Sequence, residues 1–453
     1  MMALFCDSAL LADGWHGGVR IEIGPQGTIT ALTSGTTAQP GDQRAKGPVL
    51  PTLTNCHSHA FQRAMAGLAE TAGSTEDSFW TWRVMMYRLA GLLTPDGMQA
   101  VAAKLYSELL KGGFGRVTEF HYVHHQADGT AYATPGETSL RILAAAQEVG
   151  IGHTHLPVFY AQSGFGGAEP NAGQRPFLHD VERFLRLLES LETPFARGGA
   201  TLGAAIHSLR AATPEQMQAL LSSGLTHGPI HIHVGEQEKE VEDCLAWSGR
   251  RPVEWMLDEL PVDARWCAIH ATHMTEAETA RLAASGAVAG LCPATEANLG
   301  DGIFPATQFL AKGGTIAIGT DSHVATSVAE ELRLLEYGQR LRDRRRNRLV
   351  VGPGASAGRT MIEAVLKGGA QAAGQATFGL AVGAPADLLV LDGASPYLAA
   401  AQGDQILDRW LFALGGDAVR DVMVAGQWRI EDGRHAQDEA IDRAFAAVLR
   451  RLA

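Results

Sequence analysis

Eight short apolar runs follow one another through the middle of this 453-residue chain, with helical stretches between them. They are "PVLPTLTNC" at 48–56, "GRVTEFHYV" at 115–123, "GIGHTHLPVFY" at 150–160, "TLGAAIHSL" at 201–209, "PIHIHV" at 229–234, "RWCAIHA" at 265–271, "AVAGLC" at 287–292 and "GTIAIGTD" at 314–321. Runs of this length and apolarity fit strands covered on both faces, and repeated strand–helix alternation is the pattern of a parallel α/β fold. Eight repeats over about 330 residues predict a (β/α)8 barrel with insertions. The intervening segments carry helix signals. "TPDGMQAVAAKLYSELLKGG" opens with Thr94 as a cap and Pro95 at the first helical position. It places Met98, Val101, Leu105 and Leu109 on one face and stops at Gly112. "TPEQ" at 213–216 and "TEAE" at 275–278 match capping boxes.

The two ends of the chain have a different texture. "VRIEIGPQGTITAL" near the start alternates and turns at Gly24-Pro25 and Gly27. After a helical stretch at 357–374, β texture returns in "GAPADLLVLDG" and "VRDVMVAGQWRIEDGR". The expectation is a barrel over 49–376 and a small β-sandwich domain assembled from 1–48 and 377–453, the latter ending in a helix.

Composition bounds the partners. Apolar residues make up 46% and charged residues 19%, enough for a large core. A net charge of −12 disfavours nucleic acid or an anionic membrane as partner, and means that an anionic substrate needs a local cationic pocket. The basic run "GQRLRDRRRNRL" at 338–349 has no aromatic interleaving and reads as a solvated helix end or a subunit contact. Cys6, Cys56, Cys244, Cys267 and Cys292 form no C-x-x-C pair, which favours free thiols. The N-terminus lacks a basic region before its apolar residues, and no apolar run approaches the ~20 residues of a membrane span. The expected compartment is the cytoplasm. Trp80, Trp82 and Trp255 read as packing or interface anchors.

Polar residues gather at the ends of the runs. His57 and His59 end the first run, His233 the fifth, His270 the sixth and Asp321 the eighth. Two residues apart on extended chain, His57 and His59 point to the same side. Barrel active sites form at the C-terminal ends of strands. Three imidazoles and one carboxylate suit a divalent metal, zinc most readily, with iron or manganese also accepted. Accidental polar residues would not collect at one end of four separate strands. His231 shares a face with His233 but sits one layer deeper. Glu236, three residues past His233, is placed to relay protons between a water and a nitrogen.

These residues resemble the amidohydrolase superfamily and its aminohydrolase branch, through "HSH" at 57–59, "HIHVGEQ" at 231–237, "CAIHATH" at 267–273 and "GTDSH" at 319–323. "ADLLVLDG" at 386–393 resembles the strand that closes the small β domain of that superfamily, so the resemblance extends over nearly the whole chain. Binuclear members place a carboxylated lysine on strand four. Here that run ends "AAIHSLRA" without one, which implies a single metal. "NCHSHAFQRAMAGLAE", "DSFWTWRVMMYR", "TEFHYVHH", "HSLRA", "CLAWSGRRPVEWM" and "TEANLGDGIFPATQFL" narrow the resemblance to members that act on N-formimino-L-glutamate. What this implies is hydrolytic deimination to N-formyl-L-glutamate and ammonia in histidine degradation.

By that resemblance His57, His59, His233 and Asp321 hold the metal, and Glu236, His270 and Asp321 carry the chemistry. The first proton goes to Glu236 or Asp321. Gln62, Arg83, Tyr122, His207 and Arg210 contact the dicarboxylate substrate, and Ser322 and His323 steady Asp321. Family behaviour also implies a homodimer. An aminohydrolase of a heterocycle such as guanine, cytosine or an s-triazine would keep the metal, Glu236 and His270 but want aromatic stacking in place of arginines. A non-catalytic barrel scaffold would lack ligands, and none is missing.

Overall fold

The computed structural model describes residues 2–71 and 79–452; the side chains of Phe79 and Trp80 lie outside the described residues. Two sheets organise them. The first draws on both chain ends: β1 (Met2–Leu11), β2 (Gly14–Ile23), β3 (Ile29–Thr33), β4 (Gln43–Arg44) and β5 (Val49–Pro51) from the start, and β15 (Leu388–Leu391), β16 (Val419–Val424), β17 (Gln427–Glu431) and β18 (Arg434–His435) from the end. Its order is β18-β17-β16-β15-β5-β1-β2-β3, with β4 beside β1. Alternate residues of β1 and β2, among them Leu4, Cys6, Val19 and Ile21, are buried with Leu388, Val390 and Met423 in a core of their own.

The second sheet is the barrel: β6 (Leu53–Ser58), β7 (Phe114–His121), β8 (Gly152–Phe159), β9 (Thr201–Leu202), β10 (Ala204–Ser208), β11 (Ile230–Val234), β12 (Trp266–His270), β13 (Val288–Leu291) and β14 (Thr315–Ile318). All neighbouring pairs are parallel, in the order β14-β13-β12-β11-β10-β8-β7-β6, with β9 off this path beside β8. The apolar run at 48–56 is two strands: Val49–Pro51 pairs in the small sheet, and the chain enters the barrel at Leu53. β11, β12 and β13 are buried at every position, as a sheet covered by helices requires.

The helix signals act as their chemistry dictates. Thr94 Oγ1 accepts from Gly97 N at the start of helix Pro95–Lys111, and Gly112 ends it. Thr213 and Thr275 both form reciprocal capping boxes. Trp255 is buried and Trp82 half-buried. The basic run closes helix Val328–Asp343, and Arg344 to Asn347 are exposed.

The barrel closes between its first and last strands, and that seam builds the site. Past β14 the chain runs beside the end of β6: Asp321 N donates to His57 O at 3.0 Å and His59 N donates to Asp321 O at 3.2 Å. Gly319 permits this approach, since a Cβ there would lie 2.7 Å from the Cβ of His57.

Candidate metal centre and active site

The seam's backbone bonds set an H-x-H pair beside an aspartate. His59 Nε2 lies 3.3 Å and His57 Nε2 3.5 Å from Asp321 Oδ1. From β11, His233 brings its Nε2 to 2.9 Å from His57 Nε2. All four residues are buried. Burial, and then the neighbouring imidazoles, hold the His57 and His233 pKa values well below the usual histidine range. Burial and then His57 push His59 down to about 3. Imidazoles kept neutral in this way retain a lone pair for a cation.

Three contacts join the four residues, His57–Asp321, His59–Asp321 and His57–His233, and each suits two ligands of one small divalent ion. Metal–ligand bonds of about 2.0–2.1 Å at tetrahedral or right angles separate ligand atoms by about 2.8–3.4 Å. The three distances above fall close to that spacing. The ring tautomers agree: His59 Nδ1 donates to Phe120 O and His233 Nδ1 donates to His207 O, both at 2.9 Å, which leaves each Nε2 as an acceptor turned to the common point. Ser58 Oγ donates to Glu119 Oε2 at 2.6 Å, and Glu119 Oε1 accepts from Ala60 N at 2.7 Å, so the segment bearing both histidines is pinned from β7.

His270 ends β12 on the other side of Asp321, its Nε2 3.8 Å from Asp321 Oδ2 and 3.7 Å from Glu236 Oε1. Its Nδ1 is 3.2 Å from Glu296 Oε1. Burial works against its charge, but Glu236, Glu296 and Asp321 outweigh it and hold the imidazole well above its ordinary pKa. Burial raises Glu236 above the usual carboxylate range, with His270 opposing. A carboxyl so tuned can both take and give a proton near neutral pH. His270 and Asp321 have φ of 67° and 48°, left-handed values that a non-glycine residue adopts at a cost. The price is local geometry at the strand ends, where both side chains turn to the same centre.

Above this centre opens a narrow cleft, lined among others by Gln62, Arg83, Tyr122, His207 and Arg210. The five residues expected to meet substrate therefore share one cavity with His59, His233, Glu236, His270 and Asp321. Gln62 Nε2 donates to Tyr122 Oη at 2.9 Å. Arg210 is buried; burial opposes its charge, while Glu240 and Glu236 favour it. Arg83 lies over the Tyr87 ring at 5.5 Å. Ser322 and His323 serve the turn around Asp321: Ser322 Oγ is 3.0 Å from Thr295 Oγ1, and His323 reaches Thr320 Oγ1 at 2.7 Å and Ser58 Oγ at 3.3 Å. His231 is buried away from this centre, with Nε2 2.8 Å from Ala372 O.

Sequence reasoning missed Glu296, Asp301 and the aromatic wall of Trp82, Tyr87, Tyr160 and Phe177. "VFY" at the end of the third run hinted at Tyr160. Nothing in the spacing of "CPATEANLGD" singles out its carboxyls.

Comparison with known proteins gives the family and the fold. The amidohydrolase family profile matches residues 49–429, and the profile described as the N-terminal domain of formimidoylglutamate deiminase HutF matches residues 1–46. A formimidoylglutamate deiminase of Pseudomonas aeruginosa is 56% identical over 452 residues, covering 100% of both chains. A crystal structure of an amidohydrolase from Brucella melitensis superposes with a TM-score of 0.96 at 50% identity, covering 100% of both chains. An adenosine deaminase from Xanthomonas campestris, solved with bound zinc, shares the fold at a TM-score of 0.82 and 19% identity, over 100% of this chain and 98% of its own.

Proposed function

The chain belongs to the amidohydrolase family, and on that footing we propose that it hydrolyses N-formimino-L-glutamate to N-formyl-L-glutamate and ammonia, a step of histidine degradation. The observation that carries this reading is one cleft with two arginines, Arg83 and Arg210, above two ligand groups that share His57, namely His57–His59–Asp321 and His57–His233–His270. A substrate with two carboxylates and an amidine-like head needs both parts.

His57, His59, His233 and Asp321 would hold one divalent cation, zinc best suiting three nitrogens and one oxygen. Bound there, the ion would supply Lewis acidity and bring water ionisation toward neutral pH. The remaining chemistry belongs to the side chains. Arg83 and Arg210 bind the two carboxylates, with Gln62, Tyr122 and His207 completing the polar wall, and so aim the formimino carbon at the floor of the cleft. Glu236 takes a proton from the attacking water as the new C–O bond forms. It hands that proton to the imino nitrogen, which receives the C=N electron pair. His270 donates a hydrogen bond toward the developing oxygen charge. Asp321 passes the remaining hydroxyl proton to the same nitrogen as the C–N bond breaks, and ammonia departs with the bonding pair.

Ammonia release measured across a panel of formiminoglutamate, guanine and cytosine tests the reading. Release is expected with formiminoglutamate alone. Arg210→Met should lower kcat/KM by about 30- to 1,000-fold, mostly through KM, the cost of leaving a buried carboxylate unpaired. Preferential turnover of a heterocycle would overturn it. The same reading carries a homodimer, which light scattering tests. No helix among the described residues is long and apolar enough to cross a membrane.

A further inference from the structure

Behind Glu236 lies a second buried carboxyl that the deimination steps above do not use. Asp301 is 3% exposed. It stands between Gly300 and Gly302, whose φ values of 71° and 121° turn the chain so that this side chain faces inward. Its main chain is held on both sides: N–H donates to Glu296 O at 2.9 Å, and its carbonyl is 2.7 Å from His273 Nε2. Oδ1 accepts from the Gln237 amide. Oδ2 is buried and has no hydrogen-bond partner among the described residues. A carboxylate oxygen of Asp301, one of Glu236 and a ring nitrogen of His270 lie within 4.8 Å of one another. Glu236 and His270 line the cleft, and Asp301 stands behind them.

Two carboxyls this close, shut away from water, do not both ionise; one proton serves the pair. The surroundings decide which one holds it. Glu236 faces His270 at the end of β12, Asp321 past β14, Arg210 past β10 and Glu240 on helix Glu238–Ser248. Asp301 faces Glu236, His270, Glu296 and Asp321. Arg210 therefore favours an ionised Glu236 and does not act comparably on Asp301. Burial and then the Glu236 charge raise Asp301 far above the ordinary aspartate range.

We propose that Asp301 is a positioning residue for the deimination, standing as a neutral acid whose Oδ2–H holds the Glu236 carboxylate toward the substrate nitrogen. This rests on Glu236 being the proton carrier of the reaction above. The Asp301 proton is not consumed: Glu236 takes its own proton from water and gives it to the imino nitrogen, while Asp301 keeps one throughout the cycle.

Steady-state ammonia release as a function of pH, with the full-length protein and its Asp301→Asn and Asp301→Ala variants, tests this. Asparagine keeps an N–H donor in nearly the same volume, so kcat should stay within about fivefold; alanine should lower kcat by about 10- to 100-fold with KM within about threefold. The parent should lose activity at alkaline pH as Asp301 ionises, and the asparagine variant should lack that decline. An asparagine variant as slow as the alanine variant, an alkaline decline unchanged by asparagine, or a KM that rises at constant kcat would overturn the proposal. Should the alanine variant fail to fold, the pH profile of Asp301→Asn decides the matter. A parent that releases no ammonia from formiminoglutamate would instead refute the substrate assignment, and the same variants would then be compared on whichever panel compound the parent does hydrolyse.

Discussion

Three stretches of the barrel carry histidine–X–histidine on a buried strand, at 57–59, 153–155 and 231–233, and the first two use it in opposite ways. His57 and His59 stand at the C-terminal end of β6, across the closing seam from Asp321. His153 and His155 stand near the start of β8. There His153 Nε2 is 3.4 Å from His155 Nδ1, and the His155 ring stacks on Phe195 of helix Val181–Arg197 at 4.6 Å between centroids. Both pairs are buried, and burial keeps both neutral, His153 down to about 3. The difference is what they face. At the seam a carboxylate and two further imidazoles converge; on β8 the rings meet a helix and His121. Neither the motif nor burial makes a site. Position along the strand does, because only the C-terminal ends point at a shared centre.

Replacing His233 or Asp321 by alanine should break the seam side of this comparison most severely. Bound metal, read by elemental analysis, should fall from one equivalent to near none, and ammonia release should fall to background. Glu236→Gln should leave the metal in place and lower kcat by about 10²- to 10⁴-fold, the usual worth of a positioned proton carrier. The pH profile sharpens the same point. Glu236 must be ionised to take the first proton, and burial raises it above its ordinary 4.5. Activity should therefore decline on the acid side through a pKa higher than 4.5, and Glu236→Gln should abolish that limb. On β8, His155→Leu should be nearly silent: metal content and kcat unchanged within about twofold, and stability altered by less than about 1.5 kcal/mol in thermal or denaturant unfolding.

The contrast also explains what the chain discloses before it folds. Barrel strands are legible because a strand covered on both faces must be apolar throughout, and β11 and β12 fall within one residue of the runs at 229–234 and 265–271. His57, His59, His233, His270 and Asp321 are legible because each interrupts or ends such a run. Glu296 and Asp301 are not. They reach the centre from the helix and loop after β13, a strand whose own end supplies no ligand, and a carboxyl on a short helix looks like any solvated one. The break between β5 and β6 was hidden for a related reason: Val49–Pro51 and Leu53–Ser58 are equally apolar, and only their partners, β15 and β7, separate them.

The central claim is that one cation sits where β6, β11 and the end of β14 meet. Anomalous diffraction at the zinc edge, from crystals of the zinc-loaded protein, locates such an ion without reference to activity. The account predicts one peak per chain, about 2.0–2.2 Å from His57 Nε2, His59 Nε2, His233 Nε2 and one oxygen of Asp321. A peak held by other residues, or no peak at full zinc loading, would contradict it.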